Sequence, residues 1–201
     1  LKTERNPREQ KSEKKELRRR LHEVRDSLSP DQVKEFSESI HQNINRLDDF
    51  RQARRVHVYL PIARQNEVDT MPIATELLEN GRTVIVPITQ FDDHSLRHVQ
   101  LERLDNLVVN KWKVPEPPEP HDNSVLPTDL DIVLVPMLGG DTQGNRLGYG
   151  RGYYDRFLKQ VRCPKVGLLF ECCLVKQVPA EEHDVVLDYI VTDKRVIALK
   201  K

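Results

Sequence analysis

Two arginines, Arg146 and Arg151, stand inside Gly144-Asn145-Arg146-Leu147-Gly148-Tyr149-Gly150-Arg151-Gly152-Tyr153-Tyr154-Asp155. This one segment holds four of the chain's eight glycines, three of them alternating at 148, 150 and 152. Glycine lets backbone N–H groups approach a ligand with no Cβ in the way. Arginine presents a planar fork of donors that matches phosphate oxygens. One reading is therefore a phosphate-gripping loop; the other is a tight turn. No Gly-Lys-Ser/Thr closes the segment, and the glycine spacing is not that of a dinucleotide fingerprint, so neither standard nucleotide motif applies. Asp155 also has two readings. It suits the first turn of a helix, where a carboxylate is favourable, and it suits Mg²⁺ held beside phosphates. Tyr153 and Tyr154 are either core residues of that helix or faces for a flat heterocycle.

The elements around the loop indicate where it sits. Leu17, Leu21, Val24 and Leu28 recur at helical spacing and predict a helix from Ser12, after a disordered lead-in at 1–11. Ser29-Pro30-Asp31-Gln32 is a helix start with a capping box, and Val33, Phe36, Ile40, Ile44 and Leu47 supply its apolar face. Short β-rich runs follow at 56–60, 83–86, 132–135, 165–170 and 188–192, the first three each stopped by a proline. A helix over 71–80, closed by Gly81, lies between the first two. A helix over 151–160 follows the glycine loop. Near-continuous apolar strands separated by helices predict one α/β domain over 12–201: a mainly parallel, Rossmann-like sheet covered on both faces, with an N-terminal helical arm. In such sheets a strand–loop–helix junction is where anions bind. The proline-rich stretch at 114–127 reads as an extended surface loop.

Composition narrows the function classes. Lysine plus arginine and aspartate plus glutamate number 32 each, a balance that argues against a nucleic-acid partner. No apolar run approaches a membrane span. Cys163, Cys172 and Cys173 form neither a disulfide framework nor a metal pattern and are expected as buried or partly buried free thiols. A cytoplasmic location is expected, or a mitochondrial one if a targeting segment precedes Leu1.

The stretch 145–158 resembles the signature of 5-formyltetrahydrofolate cyclo-ligases, also called methenyltetrahydrofolate synthetases. Four further elements are similar to that family and stand in its order: Lys14-Lys15-Glu16-Leu17-Arg18; Tyr59-Leu60-Pro61 with Asn66-Glu67-Val68-Asp69-Thr70; Trp112-Lys113-Val114-Pro115-Glu116-Pro117; and Leu174 to Asp193, including Glu181-Glu182-His183-Asp184. The resemblance implies a monomeric enzyme that takes 5-formyltetrahydrofolate and ATP, with Mg²⁺, to 5,10-methenyltetrahydrofolate, ADP and phosphate. It implies phosphorylation of the formyl oxygen and ring closure by N10. A non-catalytic nucleotide- or folate-binding relative of the same fold is the alternative.

By resemblance, the ATP site comprises Lys14, Arg18 and the run Arg146, Leu147, Gly148, Tyr149, Gly150, Arg151, Gly152, Tyr153 and Tyr154. Lys15 competes with Lys14 by a one-residue slip. Arg151 is the expected catalytic residue, acting on the transferring phosphate. The folate site comprises Leu60, Glu67, Trp112 and Tyr149 through Tyr153, with Glu67 accepting from the pterin's amino and ring N–H groups. Asp155 and Asp184 match metal positions. Two features depart from the family pattern: a short insertion between Leu60 and Glu67, and Gly140 where an aromatic usually stands, which is expected to loosen the pocket.

Overall fold

A computed structural model describes residues 7–120, 122–181 and 184–199. Helix α1 spans Pro7–Asp26 and helix α2 spans Pro30–Ile44. The break between them is a reciprocal cap. The Gln32 N–H donates to the Ser29 hydroxyl at 3.2 Å, and the Ser29 N–H donates to Gln32 Oε1 at 2.9 Å. Helix α1 starts at Pro7 rather than Ser12, which corrects the lead-in; residues 1–6 lie outside the described residues.

The remaining elements are α3 (Asp48–Gln52), β1 (Arg55–His57), α4 (Met71–Glu79), β2 (Thr83–Thr89), β3 (Leu96–Leu101), β4 (Val108–Val109), β5 (Pro115–Glu116), β6 (Ile132–Pro136), β7 (Gly139–Asp141), β8 (Arg146–Leu147), α5 (Tyr153–Leu158), β9 (Lys165–Leu168), β10 (Leu174–Val175), β11 (Tyr189–Val191) and β12 (Val196–Ala198). Seven strands form one sheet in the order β12-β11-β9-β6-β1-β2-β3. Its five inner strands run parallel, and each edge strand pairs antiparallel.

The apolar runs cover two cores because successive strand residues face opposite ways. Ile132 and Leu134 join Ile40, Ile44, Ile73 and Leu77 from α2 and α4 on one face. Val133 and Val135 join Leu21, Phe157 and Leu158 from α1 and α5 on the other. The N-terminal arm therefore packs into the domain, with α1 and α2 on opposite faces of the sheet. Burying one Leu or Ile side chain contributes roughly 1.5–3 kcal/mol, so both faces are well secured.

Several local expectations change. Strand β2 runs through Pro87 to Thr89 because β1 pairs it only as far as Ile85. Beyond that point the missing N–H breaks no ladder with β1. Strand β3 has no long apolar run and so escapes a search for buried parallel strands; half of it is solvent-facing edge. The proline-rich stretch is partly a two-stranded ribbon of β4 and β5, in which Glu116 is buried and accepts from the Thr89 N–H at 2.8 Å. Cys163 is half-buried and Cys173 buried, but Cys172 is exposed, contrary to expectation. Among the described residues no helix is long and apolar enough to cross a membrane.

One buried polar pair lies beneath α5. His57 Nε2 and His98 Nδ1 are 3.1 Å apart, and both rings pack on Phe157 with centroids 4.7 and 4.0 Å away. A single shared proton bonds the two rings, and a second would set N–H against N–H. Burial lowers both pKa values, that of His98 to about 4. The unfolded chain takes these protons near the usual histidine value of about 6.5. Between these values the unfolded state binds more protons, so acid favours unfolding. Stability from this pair should be complete above pH ~6.5 and decline as pH falls toward 4, with His98 alone contributing on the order of 3 kcal/mol. Thermal melts from pH 7.5 to 4.5 check this. His98→Met should show a shallower decline than the parent chain, and parallel declines would show that the pair contributes nothing.

Candidate active site

The carboxyl ends of β1, β2 and β6 open into a cleft of about 480 Å³. Its cationic side is built from α1, β8 and the glycine loop. Helical spacing puts Lys14 and Arg18 on one face of α1. Arg18 Nε donates to the Gly148 carbonyl at 2.9 Å, and its guanidinium lies along Gly150. A Cβ on Gly150 would come within 3.1 Å of Arg18 Cζ, and its φ of +87° also disfavours any side chain. Burial lowers the Arg18 pKa, while nearby Asp155 and Asp184 oppose that shift. Lys14 Nζ lies 2.9 Å from Asp184 Oδ2 and 3.2 Å from Glu181 Oε1. Lys14, not Lys15, lines the cleft.

Arg146 and Leu147 are strand residues, not loop residues. Strands β7 and β8 form a hairpin ahead of the glycines. Asp141 organises its turn. Its fully buried carboxylate accepts from the N–H groups of Gln143 (2.9 Å), Asn145 (3.1 Å) and Val178 (2.8 Å), and from Asn145 Nδ2. Arg146 is thereby aimed into the cleft, where it is ion-paired with Asp155. Helix α5 is only six residues long, shorter than the expected 151–160. Its dipole is correspondingly minor, and side-chain cations dominate the anion-attracting field.

The other end of the cleft is aromatic and acidic. Trp112 sits in the β4–β5 turn, where its N–H donates to Asn110 Oδ1 at 2.8 Å. Its ring lies edge-on to Phe91 and Tyr153, and the Arg151 guanidinium sits 4.1 Å above it. Trp112 is half-buried and lines the cleft, so it is not a plain core residue. Glu67 is buried; Oε2 accepts from the Ile62 N–H at 2.6 Å and Oε1 accepts from the Tyr149 hydroxyl. Burial raises its pKa, and the Ile62 N–H, Tyr149 and Arg25 pull it back. Leu60 lies buried beside it. The Tyr154 hydroxyl and Gln65 Oε1 are buried in the cleft wall with no hydrogen-bond partner among the described residues.

Every candidate site residue lines this one cleft: Lys14, Arg18, Leu60, Glu67, Trp112, the run 146–154, Asp155 and Asp184. Glu182 and His183, quoted with Asp184 in the C-terminal element, lie outside the described residues. The expectation for Gly140 is corrected. A Cβ there would come within 2.3 Å of Met137 Cε, so Met137 already occupies the space. Gly140 lies in β7, behind the cleft wall rather than in it.

Sequence reading missed the parts that Arg25 and Asp141 play. Arg25 carried a signal, since it falls seven residues after Arg18 and eleven after Lys14, on their face of α1. Asp141 carried none beyond its place in the turn. Asp155 and Asp184 offer hard oxygen donors at the cationic end, and among the described residues no group of three or more metal-ligating side chains forms. One or two carboxylates completed by phosphate oxygens and water is the usual Mg²⁺ arrangement, so the donors fit that ion.

Fold and site together define an α/β protein with a glycine-rich, arginine-bearing loop beside a buried carboxylate. The model of the 5-formyltetrahydrofolate cyclo-ligase family matches residues 10–193, and the chain belongs to that family of enzymes. It is 30% identical to the Escherichia coli (strain K12) 5-formyltetrahydrofolate cyclo-ligase, covering 88% of this chain and 98% of that protein. The solved Aquifex aeolicus 5,10-methenyltetrahydrofolate synthetase superposes with TM-score 0.81 at 32% identity, covering 94% of this chain and 93% of that one. The Mycoplasma pneumoniae 5,10-methenyltetrahydrofolate synthetase gives TM-score 0.72 at 26% identity, covering 90% and 98%.

Proposed function

We propose that the chain converts 5-formyltetrahydrofolate and ATP to 5,10-methenyltetrahydrofolate, ADP and phosphate, with Mg²⁺. The observation that carries this is the shared loop: residues 148–153 border both the cationic end and the end holding Glu67. Such a seam suits a reaction in which the γ-phosphoryl group of one substrate must meet the formyl oxygen of the other.

The formyl oxygen attacks the γ-phosphorus, the P–O bond to ADP breaks, and an N5-iminium phosphate forms. N10 then adds its electron pair to the formyl carbon. The C–O bond breaks, phosphate leaves, and N10 loses its proton to solvent. Transfer of this kind depends on alignment and charge neutralisation rather than on a protein nucleophile. Arg18 and Arg146 hold the phosphates, and Arg151 takes the transferring group. Glu67 fixes the pterin by accepting from its amino and ring N–H groups, and the Trp112 and Tyr153 rings wall the folate. Asp155 and Asp184 would hold Mg²⁺, which neutralises phosphate charge when bound. Binding ATP would release the Arg146–Asp155 and Lys14–Asp184 pairs to these tasks.

Incubation with 5-formyltetrahydrofolate and MgATP should generate the near-UV absorbance of the methenyl product. Substrate binding without product would instead favour a non-catalytic relative. Folded protein that neither binds nor turns over either substrate would refute the proposal.

A further inference from the structure

Arg25 is a cation buried to 2% exposure at the end of α1, and the proposed chemistry does not use it. Its guanidinium joins three separate segments. It donates through Nε to the Gln65 carbonyl at 2.8 Å, through Nη1 to the Met137 carbonyl at 3.3 Å, and through Nη2 to the Tyr149 hydroxyl at 2.6 Å. The Tyr149 hydroxyl in turn donates its own hydrogen bond to Glu67 Oε1. Guanidinium, phenol and carboxylate thus form one directed chain from α1 to the folate end of the cleft. The backbone around it is pinned by the same residue: Asn66, in the left-handed region at φ 46°, donates through Nδ2 to the Arg25 carbonyl at 2.9 Å. This is the loop between Leu60 and Glu67.

We propose that Arg25 is a positioning residue for folate recognition, holding Glu67 in place and in its acceptor form through the Tyr149 hydroxyl. The inference rests on reading this end of the cleft as the pterin site. Each Glu67 oxygen uses one lone pair on protein, Oε1 with Tyr149 and Oε2 with Ile62, and keeps another for a ligand. That geometry can receive paired N–H donors from the pterin only while the carboxyl is ionised. Burial works against ionisation. Arg25 supplies the compensating charge, and the arrangement is mutual: burial pulls the Arg25 pKa down, yet Tyr149 and Glu67 leave it above its usual value.

The other titratable groups facing Glu67 are Tyr59, Tyr149 and Tyr154, all raised by burial and so neutral through the physiological range. His22 packs on the Tyr149 ring, with burial and Arg25 lowering its pKa.

The test is calorimetric affinity for 5-formyltetrahydrofolate, without ATP, from pH 6 to 9. The proteins are the parent chain, Arg25→Met, Arg25→Lys and Tyr149→Phe, each checked for folding by circular dichroism. Because Arg25 and the Tyr149 ring both act on His22, each protein is also made with His22→Gln, which removes that titration from the comparison. Without Arg25, Glu67 should ionise at higher pH, so Arg25→Met should lose several-fold more affinity than the parent at pH 6 and recover toward pH 9. Tyr149→Phe should shift the profile the same way. Arg25→Lys should restore the profile but not full affinity, because one ammonium cannot reach three acceptors in fork geometry. If Arg25→Met does not fold, Tyr149→Phe carries the test.

Parent-like affinity in the variants, or a loss equal at every pH, would overturn the positioning role. The equal loss is what a purely structural residue gives. A parent chain that binds no 5-formyltetrahydrofolate would overturn the functional reading and this inference together, whereas normal parent binding with unshifted variants would sink this inference alone.

Discussion

Arg151→Ala should lower kcat by about 10²–10³ while leaving the melting temperature within a degree or two. The two halves of that expectation come from different physics. Arg151 is exposed at the loop crest, and its guanidinium lies over the Trp112 ring, 4.1 Å from the centroid. A cation–π contact at an exposed site contributes only ~0.5–1 kcal/mol, so its removal scarcely affects folding. In the proposed reaction the same side chain would face charge that spreads over the transferring phosphoryl oxygens. A fixed donor there acts on the transition state more than on bound ATP. The loss should therefore appear in kcat, with KM for ATP changing less. Arg151→Lys should recover part of the rate, since it keeps the charge and loses the fork. Steady-state kinetics with a parallel melt checks both halves. Full activity in Arg151→Ala would remove Arg151 from the mechanism and leave Arg18 and Arg146 as the phosphate ligands.

Asp141→Ala should act the other way round, destabilising the fold by about 3–4 kcal/mol and lowering the melting temperature by roughly 6–12 °C. Asp141 is fully buried and touches no bound substrate in the proposed reaction. Three backbone N–H groups, from Gln143, Asn145 and Val178, converge on its carboxylate. Alanine would leave the buried Val178 N–H without a partner and undo the turn held at Gln143 and Asn145, and the cost of an unmet buried donor exceeds the modest value of each bond made. Asp141→Asn should fare little better, because its amide N–H₂ would face donors. The damage should spread to the site. Asp141 holds the turn that leads into Arg146, and β10 pairs beside it on β7. ATP affinity should therefore fall along with stability. Calorimetric melts decide the case, and a shift under 2 °C would show that the turn stands without this carboxylate.

These two residues also mark where the sequence is readable. Arg151 is assignable from its neighbours in the chain because the signal is local. Alternating glycines interrupted by arginines is a statement about a few consecutive residues, and its chemistry follows from residue type. Other local features are legible for the same reason. Ser29 and Gln32 form their capping box within four positions, and the strand at 132–136 declares itself by a run of β-branched residues. The parallel sheet follows because such runs alternate with helices.

Asp141 and Arg25 are not legible in this way, because what they do depends on partners far along the chain. Asp141 meets Val178, and Arg25 meets Gln65, Met137 and Tyr149. The edge strand β3 escapes on similar grounds, since an antiparallel edge is defined by its neighbour and not by its own hydrophobicity. Gly140 misleads for a related reason: a small residue looks like a gap in sequence, but here Met137 fills it from three residues away.

Residue types and short spacings are thus enough to establish the family resemblance and the sheet class, and the resemblance in turn supplies the groups proposed to hold phosphate and pterin. Folding alone determines that those groups share one cleft, that Glu67 is buried beside Tyr149, and that Arg25 reaches both through a phenol. Composition and periodicity describe each segment's own preferences, whereas burial and long-range hydrogen bonds are set by which segments the packed sheet brings together.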